Sequence, residues 1–365
     1  MKLREQTNIL IITPSLNPQD NISGISTVSK LLIKENKKHH YIPFIVGKKD
    51  KEKRGLLWLM SFVFRPFRLL FVRNRQIDLV HFNISFEPKS LIRDIILFMA
   101  LLIRSIPVVL HIHGGRFMNQ KAGAFKSIIG VLLLKSKQII VLSDIEKSFL
   151  QETYPEIEKG KIHIVPNAIS LPELKLEDKN FESKMTILYL GRIDRAKGLE
   201  KIAVSLNSLT KKGVDFIFYL CGVGPDKKWF LSQFKKETMD NLSDMGLILG
   251  EDKAQILKQS HIYLLPSDYE GLPLSLLESM SNFVVPIVTP VGSIPEVVNT
   301  ENGRIINSEN QIVANLKELD SNRVLLKKIA ENARLTIEKG YSITQFIAKI
   351  NAIYETVIFP DCESH

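Results

Sequence analysis

The sequence predicts two doubly wound α/β domains in succession, and three observations predict it. Short apolar runs recur, each followed by a loop with glycine, proline or polar residues and then by a helical pattern. That grammar starts at Asn8-Ile9-Leu10-Ile11-Ile12-Thr13 and starts again at Met185-Thr186-Ile187-Leu188-Tyr189-Leu190-Gly191. Between the two halves lies a polar, acidic stretch, 170–184, with Pro172 and no strong period, which reads as a linker. The 365 residues suit two domains of ordinary size. The expected division is 1–170, a linker 171–184, 185–340 and a terminal helix over 341–358.

Composition narrows the class. A hydrophobic share of 45% with 24% charged residues supports a large core and excludes disorder of the whole chain. The formal net charge of +10 suggests an anionic partner: nucleic acid, an acidic membrane surface or a phosphorylated substrate. Two cysteines, Cys221 and Cys362, exclude a disulfide framework or a cysteine metal cluster and fit a reducing compartment. The polar start, 1–6, runs straight into a strand and carries no signal-peptide pattern. No segment offers 18 clean apolar residues, so no transmembrane helix is expected.

In chain order, the first strand ends in a polar loop from Ser15 to Ser23, then Gly24 and a helix over about 25–37. A strand, a loop ending at glycine and a helix form a usual place for phosphate contact in open α/β sheets. There is no GxGxxG and no P-loop lysine motif, so dinucleotide and ATP-type readings lose ground. The segment 48–54 is strongly basic, 56–64 strongly apolar, and Arg65, Arg68, Arg73 and Arg75 then alternate with Phe67 and Phe71. Aromatic bulk beside arginines over 56–75 has the composition of an interfacial segment, or equally of a core helix with a basic face. A nucleic-acid surface is not expected, since no binding motif accompanies the charge.

Further strands are expected at 77–82 and 108–113, with a helix over 88–104 between them. His111 and His113 lie two apart and share a strand face, with His113 at the strand end where such sheets place ligands. No carboxylate or cysteine stands near them in sequence, so a metal site is discounted, and His111 reads as a core histidine. Strands at 138–142 and 161–165 complete the first half, and Ser143 with Glu146 forms a capping box between them. In the second half, strands are expected at 185–191, 214–220, 245–250, 284–289 and 303–306, and the tail is helical over 311–319, 323–339 and 343–357. Arg192 and Lys197 flank the loop after the first of these strands. Arg offers a rigid fork and Lys a point charge to a diphosphate.

The most informative stretch is 267–278. A buried strand, His261-Ile262-Tyr263-Leu264-Leu265-Pro266, ends at a turn holding Glu270 and Gly271. Pro273 suits the first position of a short helix over 274–280, which carries Glu278. Helix N-termini attract anions, and two carboxylates beside one can accept hydrogen bonds from hydroxyls on either side of a bound phosphate. If wholly helical, the step from Glu270 to Glu278 spans ~12 Å, the scale of a nucleotide-sugar. It is too long for a retaining glycosidase pair, at about 5 Å. Two solvated glutamates at a helix start are the alternative on this stretch alone.

Taken together, these motifs resemble the family 4 retaining glycosyltransferases of the GT-B fold. The resemblance rests on Glu270-Gly271-Leu272-Pro273 with Glu278, and on Gly191-Arg192 followed by Lys197. It rests also on Gly222 and Gly224-Pro225, His113-Gly114, Val165-Pro166-Asn167, and Pro290-Val291-Gly292 followed by Pro295-Glu296-Val297. It covers nearly the whole chain, and six motifs in order outweigh any one. Ser23-Gly24 departs from the Gly-Gly of many members.

The resemblance implies two Rossmann-like domains facing each other across a cleft that holds the donor, and a C-terminal helix crossing back. It implies that Arg192 and Lys197 neutralise the leaving diphosphate without a metal or other cofactor; no Asp-x-Asp motif occurs. It further implies that Glu278 accepts from the ribose, that Glu270 holds sugar hydroxyls near the backbone of Leu272, Pro273 and Leu274, and that His113 faces the reacting region. Gly24, Gly191, Gly222, Gly224 and Gly271 complete the donor contacts it implies. The expected catalytic group is His113, Arg192, Lys197 and Glu270. The expected partners are a nucleotide-sugar, with UDP as the default, a lipid-linked or oligosaccharide acceptor of bacterial surface polysaccharide, and an anionic membrane surface through 56–75. The expected location is cytoplasmic, peripheral on the inner membrane face. A nucleotide-sugar epimerase of the same fold and a non-catalytic subunit of a polysaccharide assembly complex stay open as alternatives.

Overall fold

The computed structural model describes residues 6–21, 23–47, 69, 77–118 and 122–359. The chain divides into two compact units, Met1–Asn167 with Ile343–His365, and Ala168–Ser342. Among the described residues each unit is built on a six-stranded sheet, and every pairing within it is parallel.

The first sheet contains β1 (Thr7–Thr13), β2 (His39–Ile45), β3 (Leu79–Ile84), β4 (Val108–Ile112), β5 (Gln138–Val141) and β6 (Ile162–Ile164). Their order is β2-β1-β3-β4-β5-β6. Ile9, Leu10, Ile11 and Ile12 are all buried, as a strand covered on both faces requires. The sequence pattern does not announce β2. It reads His-His-Tyr-Ile-Pro-Phe-Ile, with Pro43 opposite Ile11, and among the described residues its outer edge pairs with no further strand. Edge strands accept proline because one row of their N–H groups needs no ladder partner. The chain leaves β1 to one side for β2 and returns on the other for β3, so the order switches beside β1.

The helix Gly24–Glu35 is capped by Ser23, whose side chain accepts from the Ser26 N–H. Before the helix Asp144–Thr153, Ser143 Oγ accepts from the Glu146 N–H while the Glu146 carboxylate accepts from the Leu142 N–H at 2.8 Å. The last helix, Ile343–Ile358, belongs to this first unit. Its Asn351 accepts from Asn36 at 2.7 Å, and Tyr354 OH meets His81 Nδ1 at 2.7 Å.

The second sheet contains β7 (Met185–Leu190), β8 (Phe216–Cys221), β9 (Leu242–Gly246), β10 (Ile262–Leu265), β11 (Val285–Val288) and β12 (Arg304–Ile305), in the order β12-β11-β10-β7-β8-β9. Here the switch falls beside β7, between β10 and β8. The strand expected over 245–250 forms earlier, at Leu242–Gly246. It lies on the edge, where Leu-Ser-Asp-Met-Gly suffices without apolar alternation. Gly246 ends it at φ +63°, and Leu247 and Leu249 stand in the following loop, both exposed. The polar stretch 171–184 is tied to this unit by Lys179, whose buried Nζ donates to the carbonyls of Leu257, Ser260 and Asn282. Burial holds its pKa well below the ordinary lysine value.

Among the described residues no helix is long and apolar enough to cross a membrane. The segment 56–75 lies outside the described residues save Leu69, which is buried in the first unit's core. Cys362 also lies outside them, whereas Cys221 is buried in β8, its thiol pushed up to about 12 by burial.

Candidate active site

In the second unit the loops after β7 and β10 meet at the switch point, where open α/β sheets bind ligands. Backbone bonds fix them. Asp268 N–H donates to the Ala196 carbonyl at 2.9 Å, and Ser293 N–H to the Gly271 carbonyl at 3.0 Å. Asp194 caps the short turn Arg195–Lys197 by accepting from the Ala196 N–H. Gly191 N–H donates to the Cys221 carbonyl at 3.0 Å, which brings the β7 and β8 ends together. Gly222 and Gly224 pass so close to β7's loop that a Cβ would stand 1.9 Å from the Gly191 oxygen and 2.0 Å from the Ile193 oxygen respectively. The left-handed backbone at Gly292, φ +57°, lets its loop pass under Glu270, where a Cβ would stand 2.1 Å from the Glu270 carbonyl oxygen.

Into this frame project two lysine–glutamate pairs. Lys197 Nζ donates to Glu270 Oε1 at 2.8 Å, and Ser267 Oγ donates to the same oxygen at 2.8 Å. Lys253 Nζ donates to Glu278 Oε1 at 2.6 Å. Among the described residues neither Glu270 Oε2 nor Glu278 Oε2 has a partner, so each carboxylate keeps one oxygen open while a lysine anchors the other. Both lysines are about three-quarters shielded, at 25% and 28% exposure, so each charge is partly desolvated and its attraction strengthened. Tyr263 lies beneath the pairs with its phenol on Ser275 Oγ at 2.7 Å. Burial above all holds that phenol protonated; Glu270, Tyr189 and Glu278 add to it, against the Ser275 hydrogen bond.

Glu278 lies on the helix Leu274–Ser281. Pro273 is its N-cap, one position before the first-turn site expected of it, because its ψ of 126° is extended. Pro273 makes no side-chain cap, and the first-turn N–H groups of a helix have no partner within the helix itself, which makes such an end attractive to anions. Only 274–278 of the Glu270–Glu278 step is helical, so the wholly helical span does not apply. Leu272 is buried under the turn. Arg192 is exposed, its guanidinium without a partner among the described residues, while its carbonyl accepts from Tyr189 OH at 2.5 Å. The structure thus joins Lys197 to Glu270 but leaves Arg192 unengaged.

In the first unit, Gly24 stands exposed at the start of its helix, with open space where a Cβ would lie. His113 follows β4 and is half-buried, its ring 4.0 Å from that of His111. His113 Nε2 meets Asn83 Oδ1 at 2.7 Å. Burial, with His81 adding, pushes its pKa down to about 3, so the ring is neutral. His111 is a core residue, as expected, with Nδ1 3.2 Å from His81 Nε2. Among the described residues no group of three or more His, Cys, Asp or Glu side chains is placed to hold a metal.

Sequence reasoning missed Ser267, Lys253 and Asn83. Ser267 stands three residues before Glu270 and Asn83 two after His81, both at strand ends, and those positions are the available signal. Lys253 had none, since its partner lies 25 residues on and in another helix.

The comparisons agree with this frame. The profile described as "Glycosyltransferase Family 4" matches residues 29–172 and that described as "Glycosyl transferases group 1" matches 173–336. The two adjoin over most of the chain, and the chain belongs to the family 4 glycosyltransferases. It is 26% identical over 259 residues to the uncharacterised glycosyltransferase MJ1069 of Methanocaldococcus jannaschii, covering 66% of this chain and 64% of that protein. It thus spans just under two thirds of that relative's length. It is 26% identical over 282 residues to the UDP-Gal:alpha-D-GlcNAc-diphosphoundecaprenol alpha-1,3-galactosyltransferase of Escherichia coli, covering 70% of this chain and 71% of that protein. The structure of Anabaena Alr3699/HepE in complex with UDP and glucose superposes with a TM-score of 0.75 at 13% identity, over 96% of this chain and 100% of that one. The fold is GT-B, as the resemblance implied.

Proposed function

We propose that this chain transfers a sugar from a nucleoside diphosphate sugar, with UDP as the nucleotide, to a lipid-linked or oligosaccharide acceptor of bacterial surface polysaccharide. The observation that carries this reading is the pair of carboxylates, each with one oxygen held by a lysine and the other open. An open carboxylate oxygen accepts a hydroxyl, and two such oxygens beside a helix N-terminus suit hydroxyls on either side of a diphosphate. Glu278 takes the ribose and Glu270 the sugar. Lys197, with Arg192, balances charge on the departing diphosphate, a role that needs no metal. The relatives support the donor and acceptor classes: one is named for a UDP-galactose donor and a diphosphoundecaprenol-linked acceptor, and the Anabaena structure holds UDP.

The chemistry is transfer with retention. The bond from the anomeric carbon to the phosphate oxygen breaks, and the acceptor oxygen bonds to the same face. The acceptor's proton passes to the leaving phosphate oxygen. His113, neutral at working pH, contacts a substrate hydroxyl.

The protein is expected to work in the cytoplasm against the inner membrane face. Beyond the composition of 56–75, the helix Pro88–Ile103 supports this: Ile92, Ile96, Met99 and Ile103 stand outward, Ile103 at 74% exposure, while its one acid, Asp94, is fully buried.

The test is a thermal-stabilisation screen of UDP-glucose, UDP-galactose and UDP-N-acetylglucosamine, since binding raises apparent stability by mass action. Turnover follows with the donor found, in wild type, Glu270→Ala and Glu278→Ala, with and without EDTA, and the product anomer is assigned by NMR. Near-normal transfer by both variants would sink the site assignment. An epimerised donor released without acceptor would replace transfer with epimerisation. Flotation with phosphatidylglycerol vesicles checks the membrane reading: Ile96→Asp with Ile103→Asp weakens binding, and equal binding to neutral vesicles counts against it.

A further inference from the structure

Asn83 sits at the C-terminal end of β3, buried beside the switch point of the first sheet. Its amide nitrogen donates to the Ile12 carbonyl at 3.0 Å and to Ser29 Oγ at 3.3 Å. A backbone carbonyl only accepts, so the amide cannot turn over, and Oδ1 faces the histidines as an acceptor. His113 Nε2, 2.7 Å away, must therefore carry the proton. A neutral imidazole with its proton on Nε2 has its lone pair on Nδ1. His113 Nδ1 has no partner among the described residues, and the residue is half-buried.

The same oxygen lies 3.2 Å from His81 Nε2. Because Oδ1 only accepts, Nε2 of His81 donates to it as well, and the lone pair left on Nδ1 of the neutral ring accepts from Tyr354 OH of the terminal helix. The ionisable groups around the His113 ring are thus His81 on β3 and His111 on β4, with Tyr354 behind His81. All three histidines are held neutral by burial.

We propose that Asn83 is a positioning residue: it locks His113 in the Nε2–H tautomer and so presents Nδ1 as a fixed acceptor for a substrate hydroxyl. His113 then orients a hydroxyl and takes up no proton. The hydroxyl contact rests on the functional reading above, whereas the tautomer does not.

The first test is long-range proton–nitrogen correlation NMR of the full chain at neutral pH, with the His113 signals assigned by their loss in His113→Ala. Protonation at Nε2 and an unprotonated Nδ1 are expected; an Nδ1–H tautomer, or a mixture of the two, overturns the proposal. In Asn83→Ala the single tautomer gives way to a mixture, and a spectrum unchanged from wild type overturns it equally. If that variant fails to fold, the wild-type spectrum still decides.

The second test is a double-mutant cycle read as UDP released from UDP-glucose. Asn83→Ala lowers kcat/KM by about tenfold, and adds nothing in the His113→Ala background, because Asn83 acts through that ring. Additive losses mean that Asn83 is merely structural and overturn the positioning role. Failure of the site reading shows separately, as near-normal transfer in both Glu270→Ala and Glu278→Ala, while the NMR result stands.

Discussion

Lysine 197 separates a structural from a catalytic reading of the second unit, and Lys197→Ala is the perturbation. Its ammonium stands 2.8 Å from Glu270 Oε1, with the two side chains 25% and 10% exposed. A pair so placed lies between the exposed and the buried extremes, so losing it costs about 2 kcal/mol. In a unit of this size that lowers Tm by about 4–8 °C. Removing a donor that stabilises a developing oxyanion costs about 10²–10³ in rate, and stability loss does not mimic that in protein that is still folded. The assay is kcat/KM for sugar transfer at a temperature well below the variant's Tm. Lys201→Ala is the control: it removes the same charge from the neighbouring helix, where Lys201 pairs with the exposed Asp268 at 3.1 Å. The control should keep its transfer rate and lose less than about 1 kcal/mol. If Lys197→Ala keeps kcat/KM within about threefold, under 1 kcal/mol of transition-state effect, while its Tm falls, then Lys197 serves only to hold Glu270.

Three further outcomes follow from the geometry. Gly222→Ala puts a Cβ 1.9 Å from the Gly191 oxygen and should destabilise the protein by about 2–4 kcal/mol, measured by urea unfolding. Lys179→Met strands three buried carbonyls and should cost about 2–4 kcal/mol without changing KM for the donor; an unchanged urea midpoint would refute the strut. The third is acid sensitivity of the first unit. His81, His111 and His113 have folded pKa values below 6.5, down to about 4 for His81 and about 3 for His113. The unfolded chain therefore binds protons that the folded one refuses. Their stabilisation is intact above pH 6.5 and is lost as pH falls toward those folded values. At pH 5 His81 and His113 each cost roughly 2 kcal/mol, and His111 acts in the same direction; urea midpoints equal at pH 7 and pH 5 would contradict it.

What was legible in the sequence follows the range of the forces concerned. Buried parallel strands need unbroken apolar runs, so β1, β7 and β10 could be read directly, and Ser143 announced its helix because a cap is a contact three residues long. Lys197 and Glu270 were legible as charges in the loops after strands, and Glu278 as one on the helix that follows. Of the four edge strands, β6 and β12 were placed, but β2 was missed and β9 displaced by three residues: their half-exposed residues carry no unbroken apolar run. Pairing was not legible either. That Lys253 anchors Glu278, that Ser267 shares an oxygen with Lys197, and that Asn83 sets the His113 tautomer depend on which strand ends adjoin. Strand order decides that, and it arises from crossovers of many residues whose hydrogen bonds leave no local trace. By itself the sequence determined two α/β units and the chemical types at their strand ends. Only the tertiary structure decided which oxygens are tied and which stay open, because a hydrogen bond's partner is chosen by proximity in space rather than along the chain.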